Sequence, residues 1–171
     1  SSYFGIIDLC GIPKDRYYLY QSKWSEREVL HLLPHWNWEI GQKLSVHCYT
    51  NFDKGELFLN GVSLGIREKD PANLYTTYRL IWDDISYQPG ELKVVALDKN
   101  NNPVKETTVQ TAGDPAKIVL ETDRNIILAD GKELAFVTLS IVDENGVLCP
   151  KADNLISFSA EGTGRIKAVG N

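Results

Sequence analysis

From Val29 onward, apolar and polar residues alternate in short runs that are divided by turn residues. A period of two predicts β-strands, because successive side chains on a strand point to opposite faces. Turn signals at intervals of roughly 8–12 residues are typical of an antiparallel sandwich of the immunoglobulin type. Residues 29–112 hold enough runs for one complete sandwich. The predicted strands within it are 29–33, 44–50, the two arms of a hairpin at 56–65, 75–82, 91–98 and 104–111.

The hairpin at 56–65 turns at Asn60-Gly61. This dipeptide predicts a type I′ turn, since both central residues of that turn need a positive φ. The resulting register would place four apolar side chains on one face, as a wall of the core. The expected pairs are Leu59–Val62 and Leu57–Leu64 on the apolar face, and Phe58–Ser63 and Glu56–Gly65 on the other.

A helix is predicted before the first sandwich, from Lys14 to Trp24, with Pro13 at its start. Tyr17, Tyr20 and Trp24 recur at spacings of three and four residues, which gives one aromatic stripe. We expect this stripe to pack against a neighbouring structure, with a ligand platform as the alternative. One short helix cannot form a domain, so it must dock on something in this chain or upstream of it.

A second all-β series follows a boundary of small residues at 111–115. It is shorter than the ~100 residues of an immunoglobulin-like domain. We therefore expect a truncated sandwich, whose open edge is covered by a neighbouring chain or left less ordered. The predicted organisation is thus 1–28 as an N-terminal remnant, 29–112 as a whole sandwich and 113–171 as a partial one. The strands expected in the last part are 117–122, 125–128, 133–143, 155–160 and 165–169.

Composition removes several classes of function. The net charge is −5 with acids and bases interleaved, whereas a nucleic-acid footprint needs a clustered basic face. No apolar run approaches the ~20 residues of a membrane span. The sequence has no methionine, which suggests a piece of a longer protein. Its three cysteines, Cys10, Cys48 and Cys149, are too scattered for a zinc site and are expected as free thiols that are buried or partly buried, with one disulfide as the alternative.

Few residues suggest chemistry, and no metal or cofactor is expected. Asp83-Asp84 is expected to be a pair of solvated carboxylates at a strand end. The run at 143–146 lacks the spacing of a calcium loop, so a β-turn is predicted there. The best candidates are His35, Trp36 and Trp38, because aromatic rings on a loop can stack on sugar faces. Packing inside the sandwich, or between it and a neighbouring domain, is the alternative for these three residues.

Several segments together resemble the C-terminal part of glycoside hydrolase family two, which includes β-galactosidases, β-glucuronidases and β-mannosidases. The first group resembles the end of the catalytic barrel, the second the module behind it, and the third a further immunoglobulin-like module. The matching segments are SYFGIID (2–8), GIPKD (11–15) and YYLYQS (17–22); HLLPHWNW (31–38), ELFLNGVSLG (56–65), GEL (90–92) and VA (95–96), with TAG (111–113) at the seam; and DR (123–124), ADG (129–131), FV (136–137) and VDENG (142–146).

The resemblance implies that the parent is a retaining β-galactosidase, and that both catalytic glutamates lie on barrel strands upstream of this chain. The chain has no Asn-Glu dipeptide, so no catalytic residue can be assigned and the chain alone is expected to be inactive. Its implied partners are the parent's catalytic barrel and carbohydrate substrate, with chain–chain association through the truncated sandwich. A periplasmic or extracellular bacterial location is implied. The alternative function is a bacterial immunoglobulin-like adhesin or a carbohydrate-binding module; a third is an autonomous enzyme.

Overall fold

The computed structural model describes residues 4–170. They divide into two compact units: one takes in the chain up to Gln110 together with the segment from Leu155, and the other comprises Thr111–Asn154. The predicted division at 1–28, 29–112 and 113–171 stays a prediction. The elements are α1 (Asp15–Trp24), β1 (Leu30–Leu33), β2 (Lys43–Thr50), β3 (Lys54–Leu59), β4 (Val62–Glu68), β5 (Arg79–Ser86), β6 (Glu91–Leu97), β7 (Pro103–Gln110), β8 (Lys117–Thr122) and β9 (Val137–Val142).

The first unit is a sandwich of two antiparallel sheets. The order in one sheet is β1-β2-β5, and in the other it is β4-β3-β6-β7. The inward side chains of both sheets form one core, which confirms the predicted all-β architecture. Strand β2 shows how the alternating sequence builds this core. Val46 and Cys48 are fully buried, while Ser45 is exposed and His47 is half-buried. Trp36 and Trp82 are the largest buried side chains.

The hairpin prediction is confirmed at the turn and wrong further along it. Asn60 and Gly61 both have positive φ, and Leu59 pairs with Val62 as expected. Phe58 also pairs with Ser63 as expected, but the register then shifts, and Glu56 lies opposite Ile66 instead of the expected Gly65. Gly65 has a φ of +95°, which fits a bulge that bends the strand. Val62 is 66% exposed, so the apolar wall is formed without it.

Strand β5 begins at Arg79, four residues later than predicted. Residues 70–78 form turns instead, because two side chains accept backbone hydrogen bonds there. Asp70 Oδ1 accepts the N–H of Ala72, and Asn73 Oδ1 accepts that of Tyr75, both at 2.9 Å. Such local bonds offer the backbone an alternative to a sheet ladder. The β5 strand then runs through Asp83-Asp84, which therefore lie within the strand and not at its end.

Helix α1 lies against the sandwich with a different face from the one the sequence suggested. Ser22 is its buried residue. Tyr18 stacks on His31 of β1 with ring centroids 3.9 Å apart, and Asp15 Oδ1 lies 2.7 Å from His31 Nε2. The stripe expected to be packed is largely open, since Trp24 is 76% exposed and Tyr20 is 36% exposed.

The second unit, Thr111–Asn154, contains the antiparallel pair β8–β9. Asp143 closes the turn that follows β9: its Oδ2 accepts the N–H of Gly113 at 2.8 Å, and its Oδ1 accepts those of Asn145 and Val147 at 2.9 Å. The bond from Gly113 is the main reason why the pKa of this carboxyl lies below its usual range. The β-turn predicted at 143–146 is thus present.

Three strands predicted in this part of the sequence do not form in the described structure, namely 125–128, 155–160 and 165–169. The predicted strand 133–143 is shortened to Val137–Val142. Strands need a hydrogen-bonded neighbour, and these apolar runs remain exposed, with Leu155 at 96% and Ile126 at 86%. Across the described range, no helix is long and apolar enough to cross a membrane.

Candidate functional site

The loop between β1 and β2 carries the three residues that the sequence suggested for sugar contact. It begins with a cis peptide bond between Leu33 and Pro34. Trp36 enters the core and is only 1% exposed. Its indole Nε1–H donates to the Gln88 carbonyl at 3.0 Å, and its ring meets Tyr87 edge-on at 5.2 Å. Trp36 therefore anchors the loop and does not present its ring at the surface.

His35 and Trp38 form a stacked pair on the same loop. Their rings are nearly parallel, at 4°, with centroids 4.6 Å apart. The Trp38 Nε1–H donates to the His35 carbonyl at 2.7 Å, and the Asn37 N–H donates to His35 Nδ1 at 3.3 Å. Both rings are half-buried, and Trp38 also packs against the edge of the core. These bonds fix the pair's orientation, so it forms a rigid part of the surface.

The segment that receives Trp36 is in turn held by the Asn60-Gly61 hairpin. Asn60 Nδ2 donates to the Pro89 carbonyl at 3.0 Å, and Asn60 Oδ1 accepts the N–H of Glu91 at 2.8 Å. Gly90 is required beside it, because a Cβ there would lie 1.9 Å from Asn60 Oδ1. The hairpin thus positions the aromatic loop through residues 87–91.

A cluster of Ser45, His47 and Asp83 lies on the outer face of the three-stranded sheet, meaning the side that points away from the core. No local motif predicts this cluster, because cross-strand pairing brings its residues together. Ser45 Oγ donates to Asp83 Oδ1 at 2.6 Å and lies 3.0 Å from His47 Nε2. A hydrolytic triad needs the imidazole in the middle, held by the carboxylate. Here the serine is in the middle, so the order is wrong for nucleophilic activation.

The same outer face carries Arg79, whose guanidinium lies between two tyrosine rings. Its Cζ is 5.7 Å from the Tyr49 centroid and 5.4 Å from that of Tyr75. Burial, and then the charge of Arg79, lower the pKa of nearby His47. His47 is therefore biased toward its neutral form, and Arg79 is the permanent charge of this face.

The acidic residues that the sequence raised as candidates, Asp83, Asp84 and Asp143, lie in structural positions. No group of three or more metal-ligating side chains comes together within residues 4–170. The buried carboxylate of Asp143 accepts hydrogen bonds from three backbone amides. Asp83 is bonded to Ser45, and neighbouring Asp84 is exposed and has a left-handed φ of 58°.

Two family models match the chain in succession. Residues 41–105 match a domain of unknown function, DUF4982. Residues 118–171 match the glycoside hydrolase family 2 C-terminal domain 5. The chain therefore matches the C-terminal part of glycoside hydrolase family 2 enzymes. The resemblance inferred from the sequence segments is therefore confirmed.

Similar proteins match this chain over one region of much longer polypeptides. It is 51% identical to the beta-galactosidase BoGH2A of Bacteroides ovatus, over 100% of this chain and 20% of the relative. It is 28% identical to a beta-glucuronidase of Formosa agariphila, over 92% of this chain and 16% of the relative. A crystal structure of a beta-glycosidase from Bacteroides vulgatus superposes with a TM-score of 0.78 at 38% identity, covering 88% of this chain and 19% of that one.

The chain spans about a fifth of the length of these relatives. It corresponds to the C-terminal part of glycoside hydrolase family 2 relatives, as the sequence resemblance predicted. Its described residues form a packed sandwich with an anchored aromatic loop.

Proposed function

We propose that this region supports the catalytic barrel of a retaining β-galactosidase. The observation that carries the proposal is the 51% identity over the whole chain to a protein named beta-galactosidase. The sequence resemblance adds that both catalytic glutamates belong to the preceding barrel. This region then contributes rigidity and contact surface to the enzyme instead of chemistry.

We propose further that residues 1–28 form the end of the barrel and that α1 docks there through its aromatic stripe. Tyr20 and Trp24 pack on each other with centroids 4.7 Å apart, yet Trp24 remains 76% exposed. Such aromatic pairs are typical of interface centres. The opposite contacts, Tyr18 and Asp15 to His31, already fix the helix on the sandwich 29–112.

For carbohydrate contact, the proposal rests on His35 and Trp38. Trp36 is excluded from direct contact by its burial, and its role is to hold the loop. The stacked pair is rigid and half-exposed, which lowers the entropy cost of binding a sugar face. In the parent enzyme this loop is proposed to lie at the rim of the substrate cleft.

The second unit supports a proposal of chain–chain association. Every residue of β8 is exposed, including Ile118 at 56% and Leu120 at 62%. A two-stranded ribbon is only marginally stable in water, and its open edges are templates for added strands. We propose that 113–171 gains its missing neighbours from another polypeptide segment in the assembled enzyme.

The test uses the full-length parent polypeptide with paired chromogenic substrates. We expect hydrolysis of a β-galactoside at least tenfold faster than that of the matching β-glucuronide, with retention at the anomeric carbon by NMR. Faster glucuronide hydrolysis, or inversion, would overturn the proposal. Trp38→Ala and His35→Ala are expected to raise KM with little change in kcat, whereas Thr108→Ala at an exposed position of β7 serves as the unchanged control.

A further inference from the structure

Arg79 occupies the centre of a row of polar and aromatic side chains on the outer face of the three-stranded sheet. The strand register aligns His31 of β1 with Tyr49 of β2, and Tyr49 with Arg79 of β5. Tyr18 of α1 covers one end of this row by stacking on His31. Tyr75, from the turns before β5, covers the other end beside Arg79. The row is therefore continuous with the helix proposed to dock on the barrel.

The guanidinium of Arg79 lies against two aromatic rings, and the described residues offer its Nε no acceptor. Its Nε is buried and has no hydrogen-bond partner among the described residues. None of the ion pairs within residues 4–170 includes Arg79. Two flanking rings satisfy a cation through their faces, yet they accept none of the five N–H bonds that a guanidinium can donate. A buried donor of this kind calls for an acceptor.

Two further cations lie beside this row, where the carboxylates of Asp15 and Asp83 are already hydrogen-bonded to neighbouring side chains. Lys23 of α1 lies over the Tyr78 ring at 5.4 Å. Lys69 donates from Nζ to the Thr50 carbonyl at 2.6 Å, and its pKa is lowered mainly by burial and also by the charge of Lys23. A partner that complements this face carries negative charge.

We propose that the outer sheet face around Arg79 is an interface with the preceding catalytic region of the parent chain, and that a carboxylate of that region binds the Arg79 guanidinium. The inference rests on the proposed function, and it adds the chemistry of the contact. The relatives supply the length for it, since about four-fifths of their polypeptide lies outside the matched region. Arginine suits this role because its planar fork pairs with a carboxylate through two parallel bonds.

The direct test is an experimental structure of the full-length parent polypeptide. We expect a carboxylate oxygen from the region before this chain within ~3.2 Å of Arg79 Nε or a terminal nitrogen. Arg79 facing solvent, or bonded only to water, to a carbohydrate or to a backbone carbonyl, would overturn the proposal. If the full-length protein lacks glycosidase activity, the proposed function fails instead, whatever Arg79 contacts.

A kinetic test in the same full-length protein uses Arg79→Gln and Arg79→Lys, with Lys93→Gln as the control. Lys93 pairs with Glu106 at 3.7 Å on the other sheet and is partly exposed. Breaking a buried charge pair typically costs enough to change an equilibrium about 30-fold or more. We therefore expect Arg79→Gln to shorten the thermal inactivation half-life by about that factor, Arg79→Lys to shorten it less, and Lys93→Gln to leave it within about twofold. Equal half-lives for all three variants would contradict the interface.

Discussion

Truncation of Trp36 to alanine is the sharpest test of how the aromatic loop is held. The indole is 1% exposed, contacts Tyr87 and donates to the Gln88 carbonyl. An aromatic side chain buries roughly 150–250 Å², which at about 25 cal/mol per Å² gives ~4–6 kcal/mol as an upper limit. Compact unfolded chains reduce such values by roughly 10–40%. We expect a loss of ~3–5 kcal/mol, the usual range for removing a buried aromatic ring.

Urea unfolding followed by far-UV circular dichroism measures this loss directly. Trp24→Ala is the matched control, because the same substitution is made at a tryptophan that is 76% exposed. It is expected to change the free energy of unfolding by less than about 0.5 kcal/mol. Trp36→Phe keeps the ring packing and leaves the Gln88 carbonyl without its donor, so a loss of ~1–3 kcal/mol is expected. Equal midpoints for Trp36→Ala and Trp24→Ala would refute the anchoring role.

Three further predictions concern the supports of the fold. Gly90→Ala should lower the free energy of unfolding by at least ~2 kcal/mol in the same urea assay, because a Cβ would meet Asn60 Oδ1 at 1.9 Å and φ is +131°. The pKa of Asp143 is lower in the folded protein than in the unfolded chain. Its carboxylate therefore stabilises the fold fully above the unfolded pKa of ~3.9, and this stabilisation is lost as pH falls through the folded pKa. Asp143→Asn should abolish this part of the pH dependence of the melting temperature. At pH 8 a disulfide reagent should react rapidly with one thiol of the native protein and with three in denaturant. Cys10 is exposed, whereas burial raises the pKa of Cys48 to about 12 and also raises that of Cys149. Two rapidly reacting thiols in the native protein would contradict this.

Local sequence chemistry was enough to predict much of the sandwich. The Asn60-Gly61 turn follows from the φ preferences of two residues, and β2 follows from a clean alternation ending at Thr50. The start of β5 was missed because the side chains of Asp70 and Asn73 capture backbone amides that a strand pattern would assign to a ladder. Strand propensity and apolar alternation do not predict that side chains will compete with a sheet for backbone amides.

The site was harder to predict because its contacts join distant parts of the chain. Trp36 meets Gln88, which is 52 residues away, and only the three-dimensional packing shows that it is a core residue while its neighbour Trp38 lies at the surface. Arg79 reaches Tyr49 through the strand register and Tyr75 through a turn. One local pattern was informative: the sequence predicts more apolar strands in 113–171 than the described residues can pair.

The central claim is that this chain supports catalysis carried out elsewhere in its parent. It is tested by comparing hydrolysis of a chromogenic β-galactoside by the purified 171-residue chain with that by the full-length parent at equal molar concentration. The account predicts turnover by the parent and none above the buffer rate by the chain alone. Turnover by the chain that persists through successive purification steps would contradict it.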